Sequence, residues 1–270
     1  MTAAAFFLSL VPLAVKLVPA DSGITLSEKL VARGSVAMIV TFFLLKRRGE
    51  SFVSGKPWLL FLRSALGTLG MVLYFAALEK LPLADTVTAN KLSPFFVLLF
   101  SRLFLKEKLK KAQVLAIIAA FSGVALVADP HGVSVSGAML MALASAVFAG
   151  AAYTTLRALS RYDSPLLVVF WFSVFSVVAF LPGTIANGVI PVKSAILPLL
   201  AIGSAGVMGQ VLMTAAYRHA PGGKVAIYGY LSVVFAVAWQ IAVFGEIPSI
   251  MMLCGALLVI AGGWANYRFG

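Results

Sequence analysis

The chain has 270 residues, 61% of them AVILMFWYC and only 11% DEKR, with a mean hydropathy of +1.03. Soluble globular domains carry about 45–50% apolar and about 25% charged residues, so this composition excludes one and points to a polytopic membrane protein. The formal net charge of +12 would suit nucleic acid, but the basic residues fall in short clusters between apolar runs, where membrane topology accounts for them; no nucleic-acid partner is expected.

Hydropathy strong enough to read in single segments argues for helices, since the strands of a β-barrel give weak alternating runs of about ten residues. In chain order the apolar runs predict ten spans, near Thr2–Val18, Thr25–Leu45, Trp58–Leu78, Leu83–Leu105, Ala112–Val127, Ser134–Leu159, Pro165–Leu181, Ala195–Tyr217, Gly223–Phe244 and Ser249–Tyr267. The opening segment MTAAAFFLSLVPLAVKLV has no basic n-region and no small-residue cleavage site, so it is read as a retained first span rather than a signal peptide. The single Cys254 lies in the last run and supports neither a disulfide framework nor a cysteine metal site; a small core residue is its expected role.

The loops after spans two (Lys46, Arg47, Arg48, Lys56), four (Lys106, Lys108, Lys110, Lys111), six (Arg157, Arg161) and eight (Arg218) are basic, as is the C-terminal Arg268. The alternate loops hold Asp21, Glu79, Asp129 and Glu246, with little basic beyond Lys80 and Lys193. The positive-inside rule therefore places the basic face and both termini in the cytoplasm of a bacterial inner (plasma) membrane.

Sliding the chain against itself finds a match at a constant offset of 139 residues, covering most of spans three to five against eight to ten. Gly67 meets Gly206, Gly70 meets Gly209, Pro82 meets Pro221, Leu92-Ser93 meets Leu231-Ser232, Glu107 meets Glu246 and Gly123 meets Gly262. Five spans per half is an odd number, so the halves cross the bilayer in opposite senses. The expected fold is an all-α polytopic membrane protein of ten transmembrane helices in two inverted five-helix repeats, residues 1–132 and 133–270. Inverted repeats recur in secondary transporters, which hold substrate near the midplane between the halves.

The repeated segments carry a resemblance. GTLGMVLYFAALEKLPLADTVTANKLSPFFVLLFSRLFLKEKL and the Gly123 helix, with SPLLVVFWFS, GVMGQVLMTAAYRHAP, YLSVVFAVAWQIAVFGEIPS and IAGG, resemble the EamA-type transporters of the drug/metabolite transporter superfamily. The likeness covers essentially the whole chain; one departure is an abbreviated N-terminal element. It implies a ten-helix basket around a central cavity, alternating access and no ATP, and it leaves the substrate open among amino acids, nucleobases, cofactors and drugs.

No P-loop, HExxH, paired cysteine ligands or nucleophile elbow occurs, and His131 and His219 fall in predicted loops, so no catalytic residue, metal or cofactor is expected. Charges inside the membrane mark function unless they reach an interface. Counted from the external helix ends, Arg33 and Lys91 both lie roughly 12 Å deep, and together they predict a cationic zone facing a carboxylate or phosphate. The structural alternatives are pairing of Arg33 with Glu28, and for Lys91 either pairing with Asp85 or capping of backbone carbonyls near Pro94. Arg63 and Arg102 sit about a turn from the cytoplasmic face, where snorkelling accounts for them.

Thr86, Asn90, Ser93 and Pro94 fall near one stripe, a polar face suited to a cavity; Asn90 and Lys91 diverge by about 100° on a helix, so only one is expected to point fully inward. Tyr74, Tyr153, Trp171, Tyr228, Tyr230 and Trp239 are candidates for stacking on an organic substrate, and Gln210 needs a buried hydrogen-bond partner. Pro94 is the predicted hinge, without a counterpart in the second half because Val233 takes its place. The paired glycines are expected to serve close helix packing, and Glu107 and Glu246 to cap helix ends. No carboxylate falls near the bilayer centre, so proton coupling is not predicted.

The expected function is thus a secondary transporter for small organic metabolites, exporting amino acids or related zwitterionic or anionic compounds, working as a monomer in the lipid bilayer. A transporter of larger aromatic or nucleoside-like metabolites or drugs is the alternative within transport; a channel or a non-transporting scaffold is the alternative outside it.

Overall fold

Caps and prolines punctuate the apolar runs. Thr25 starts one helix with a capping box, its side chain and that of Glu28 each bonding the other's backbone end. Ser136 and Ser164 cap two more through Met139 N–H and Leu167 N–H, and prolines at Pro57 and Pro165 occupy first helical positions, where no N–H is needed. Gly49 (φ 63°) and Gly245 (φ 67°) end helices in the left-handed conformation that a side chain resists.

A computed structural model describes residues 1–104, 110–128, 136–189, 191–219 and 228–269, side chains at 128, 214, 215 and 217–219 excepted. Among the described residues there is no strand. The helices are α1 (Thr2–Leu17), α2 (Leu26–Arg48), α3 (Pro57–Leu78), α4 (Leu83–Asn90), α5 (Ser93–Phe104), α6 (Lys111–Ala128), α7 (Gly137–Leu159), α8 (Pro165–Asn187), α9 (Lys193–His219), α10 (Leu231–Phe244) and α11 (Ile250–Phe269), with a 3-10 turn at Ala20–Ser22. By length and composition α3, α7, α8, α9 and α11 are long and apolar enough to cross a membrane, while α1, α6 and α10 are shorter apolar helices. His219, expected in a loop, is the last residue of α9. Glu107, Asp129, His131 and Pro221 lie outside the described residues.

The fourth apolar run is two helices rather than one. A turn at Lys91 and Leu92 separates α4 from α5, with Lys91 N–H donating to Val87 and Thr88 carbonyls at 3.2 and 3.0 Å. Pro94 stands in the first turn of α5, where its missing N–H is harmless. The second half breaks at the same repeat position: Tyr228 and Gly229 are helical, Tyr230 is a turn, and α10 begins at Leu231. The expectation of an unmatched kink is therefore corrected. Val233 N–H donates to Tyr230 O at 2.9 Å and the Ser232 hydroxyl donates to Gly229 O at 2.9 Å, so local bonds make this break without a proline.

Packing joins α1 to α9, α3 to α7, α2 to α8 and α6 to α11. The α6–α11 crossing is the tightest of these: a Cβ on Gly123 would lie 2.5 Å from Gly255 O, so only glycine lets the backbones meet. Cys254, expected in the core, is exposed on α11. Its neighbours Gly255 and Ala256 take the buried face, and adjacent residues on a helix diverge by about 100°. Leu253, Leu257, Leu115 and Ile118 are exposed on the same two helices, a surface suited to lipid.

The α2–α8 pair is tied at both ends. At one, Asn187 Nδ2 donates to Glu28 Oε1 at 2.8 Å. At the other, the Asp163 carboxylate accepts from the Ser54 hydroxyl and, at 2.8 Å, from Gly55 N–H; the Ser164 hydroxyl donates to Glu50; and Trp171 Nε1 donates to Phe52 O at 2.9 Å. A single large core, including Phe75, Leu78, Leu83, Phe95, Met139, Ile202 and Met252, fills the space between the helix pairs.

Candidate functional site

Both helix breaks lie beside a central cavity of about 170 Å³. Its polar wall comprises Ser9 of α1, Arg33 of α2, Arg63 and Tyr74 of α3, Asn90 and Lys91 at the end of α4, Tyr153 of α7, Gln210 of α9 and Ser232 of α10. Phe75, Phe172, Met71 and Pro12 contribute apolar wall. Among the described residues, no Asp or Glu lines it.

Of the residues predicted to bind substrate, Arg33, Tyr74, Asn90, Lys91, Tyr153 and Gln210 come together here, from five different helices. Asn90 and Lys91 both border the cavity. Lys91 keeps a φ of −70° and its N–H still bonds Val87 O at 3.2 Å, so its backbone follows the last helical step. Asn90 is held by α7, its Nδ2 donating to Ser145 Oγ at 2.9 Å.

The other predicted residues lie elsewhere. Thr86 is fully buried and its hydroxyl donates to Pro82 O at 3.0 Å within its own helix. Ser93 is buried in α5. Trp171 is 38% exposed and turned to the α2–α3 connection. Tyr228 is half exposed, whereas Tyr230 is buried, with its ring against Phe95 and over Gly263. Trp239 stands behind the wall, its Nε1 donating at 3.0 Å to Ser9 Oγ, a lining residue.

Arg63 is the main correction. Expected to snorkel, it is 5% exposed and lines the cavity. Its guanidinium lies 4.8 Å from the Phe172 ring centroid, and that of Arg33 lies 5.6 Å from the same ring. Such stacking is favourable for a cation over an aromatic face. Arg63 Nε and Nη1 are buried without a hydrogen-bond partner among the described residues. Gly67, four residues along α3, leaves room for this guanidinium: a Cβ there would collide with Arg63 Nη1 and touch Phe172 at 3.0 Å. Its repeat counterpart Gly206 also faces Arg33, but a Cβ there would stand in ordinary contact with Nε at 3.4 Å, so the arginine does not require a glycine at that position. Gly67 accommodates a cation, while Gly70 and Gly209 serve packing, against α7 backbone and Leu8 respectively. Arg102, in contrast, is exposed as snorkelling requires.

Neither ion-pair alternative for the cations holds among the described residues. Glu28 is engaged by Thr25 and Asn187 rather than Arg33, and no ion pair joins Lys91 to Asp85; the ion pairs there are Lys29–Glu79 at 2.6 Å and Arg48–Glu50 at 3.8 Å. Nor does any group of three or more His, Cys, Asp or Glu among the described residues form a metal-binding set. The described lining of the cavity thus combines three cationic side chains with aromatic rings.

Two residues important to this arrangement escape sequence reading. Gln240 of α10 is buried and its Oε1 accepts from Ala84 N–H at 2.8 Å, satisfying a free donor at the start of α4. Phe172 lies 139 residues after Arg33, so the repeat offset itself pairs these two contacting residues. For Arg63 the readable signal is the glycine one turn along the helix.

The chain is similar to known transporters along most of its length. The pseudopaline exporter CntI of Pseudomonas aeruginosa (strain UCBPP-PA14) is 30% identical over 89% of this chain and 86% of its own. A riboflavin transporter of Brucella anthropi is 29% identical over 83% of this chain and 82% of its own, and human solute carrier family 35 member G1 is 29% identical over 83% and 66%. A crystal structure of a protein 20% identical in sequence superposes with a TM-score of 0.72, covering 97% of this chain and 93% of that one, which shows the fold. The EamA-like transporter family matches residues 1–128 and again residues 136–267, and with these matches spanning both halves, the chain belongs to that family.

Proposed function

We propose that this membrane transporter is a secondary transporter for small metabolites bearing a carboxylate, exporting amino acids or related zwitterionic or anionic compounds across a bacterial inner membrane. The observation that carries the reading is the central cavity with Arg33, Arg63 and Lys91 on its wall and, among the described residues, no acidic residue on its lining. Buried cations without protein partners are costly and are retained where a ligand supplies the counter-charge. The pseudopaline exporter among the relatives supports the outward direction.

Ten spans, in two inverted halves at residues 1–132 and 133–270 with both termini cytoplasmic, are part of this proposal. Helix pairing supports them: exchanging the halves turns the α1–α9 contact into the α7–α3 contact and leaves α2–α8 and α6–α11 as they are. Broken helices meeting at a central site are the usual device of alternating-access carriers, and Pro94, beside the first break, is the proposed hinge.

The riboflavin transporters among the relatives and the aromatic wall of Tyr74, Tyr153 and Phe172 favour a second reading, transport of a larger aromatic metabolite. The cavity of about 170 Å³ weighs against it, because drug-sized ligands occupy about 300–1,000 Å³. Counterflow in proteoliposomes tests the proposal. Preloaded unlabelled amino acid or carboxylate should accelerate entry of the labelled compound, with saturation; flux that is linear in concentration and indifferent to preloading refutes a carrier.

A further inference from the structure

Two of the three cations on the cavity's described lining cannot give up their charge. A guanidinium stays protonated at any pH a protein meets, and Arg33 and Arg63 bring theirs to one ring, 5.6 and 4.8 Å from the Phe172 centroid. Lys91 adds a third at the end of α4. Among the described residues, the acids on nearby elements do not compensate them: Glu28 is bound by Thr25 and Asn187, Glu79 by Lys29, and Asp85 is not part of the wall. Arg63 is 5% exposed with two donors lacking partners, and Gly67 preserves the space its guanidinium fills.

A zwitterionic amino acid brings no net charge to this place, and a monocarboxylate leaves one permanent cation uncompensated in a buried setting. Two carboxylates match two guanidiniums. The small cavity adds that the skeleton between them is short. We propose that the substrate is a small dicarboxylate whose two anionic groups are shared among Arg33, Arg63 and Lys91. This rests on the cavity being the substrate site and narrows its occupant from carboxylates in general to those with two.

The test is calorimetric titration of the purified full-length protein in detergent with four probes: glutarate, butyrate, L-glutamate and L-glutamine. Glutarate should bind at least about tenfold tighter than butyrate, and L-glutamate at least about tenfold tighter than L-glutamine, the ratio expected of one charge-assisted hydrogen bond. Equal affinities within each pair overturn the dicarboxylate assignment and leave the broader carboxylate reading standing. Binding of none of the four, with counterflow only of uncharged or cationic compounds, ends both. In Arg63→Gln the glutarate-to-butyrate ratio should fall to about two or less, while Arg63→Lys retains most of it. A wild-type ratio in Arg63→Gln overturns the part assigned to Arg63, and should that variant not fold, the comparison of probes on the unaltered protein decides alone.

Discussion

Gly67→Ala adds one methyl group, and its effect separates a space kept for a charge from a space kept for packing. In the helix interior alanine is favoured over glycine by about 0.5–1 kcal/mol, so the backbone gains. The new Cβ, however, would collide with Arg63 Nη1 and lie 3.0 Å from Phe172 Cε2, so the guanidinium must leave its place over the ring. Moving it off a bound anion forfeits a charged hydrogen bond, about 1.5–3 kcal/mol, or about ten- to a hundredfold in affinity. Gly70→Ala, one turn on, meets Ala149 N at 3.2 Å and Ser145 O at 3.3 Å, backbone atoms that cannot swing aside. Gly67→Ala should therefore melt at or above the wild-type temperature in detergent yet bind glutarate at least about tenfold more weakly, whereas Gly70→Ala should melt lower. Parallel thermal unfolding and titration check this. Wild-type affinity in Gly67→Ala, or a lowered melting temperature there with Gly70→Ala unaffected, refutes the division of roles between the two glycines.

Arg33→Ala and Lys91→Ala should each weaken binding of an anionic ligand about tenfold or more without unfolding the protein; unchanged affinity in both removes the cationic wall from substrate recognition. Gln240→Leu leaves Ala84 N–H buried without an acceptor, a cost of about 1–3 kcal/mol, and should lower the melting temperature, which denaturation in detergent measures. Trp171→Phe should leave counterflow rates within about twofold, because its indole serves the α2–α3 connection and not the cavity; a loss of transport with retained stability would contradict that placement.

The helical, membrane-protein character was legible because hydropathy works segment by segment, and five of the described helices are long and apolar enough to cross a membrane. Span four was legible only in part. Pro94 marked a disturbance, but a proline sits comfortably in the first turn of a new helix, so the break itself falls one turn earlier, at Lys91 and Leu92. The matching break at Tyr230 carried no such mark, because it is made by bonds among Gly229, Tyr230, Ser232 and Val233 that ordinary residues supply. Arg33 and Lys91 were found by depth alone. Arg63 was missed by the same measure, since counting residues from a helix end takes no account of where a neighbour's aromatic ring and a glycine open a buried place for a long side chain. Aromatic candidates were the least legible. Tyr74 and Tyr153 reach the cavity while Trp171 and Tyr228 do not, and helix rotation, which decides between them, leaves little trace in helices apolar nearly all round.

The fastening of α2 to α8 at both ends has a mechanical consequence. Two rods pinned at top and bottom cannot slide lengthwise or scissor apart without releasing the Glu28–Asn187 bond at one end or the Asp163 and Glu50 bonds at the other. In the proposed alternating-access cycle this pair would serve as the fulcrum, with Arg33 on one rod and Phe172 on the other. The half-helices carry ties of their own, Asn90 to Ser145 of α7 and Ala84 of α4 to Gln240 of α10, so α4 would swing together with α7 and α10.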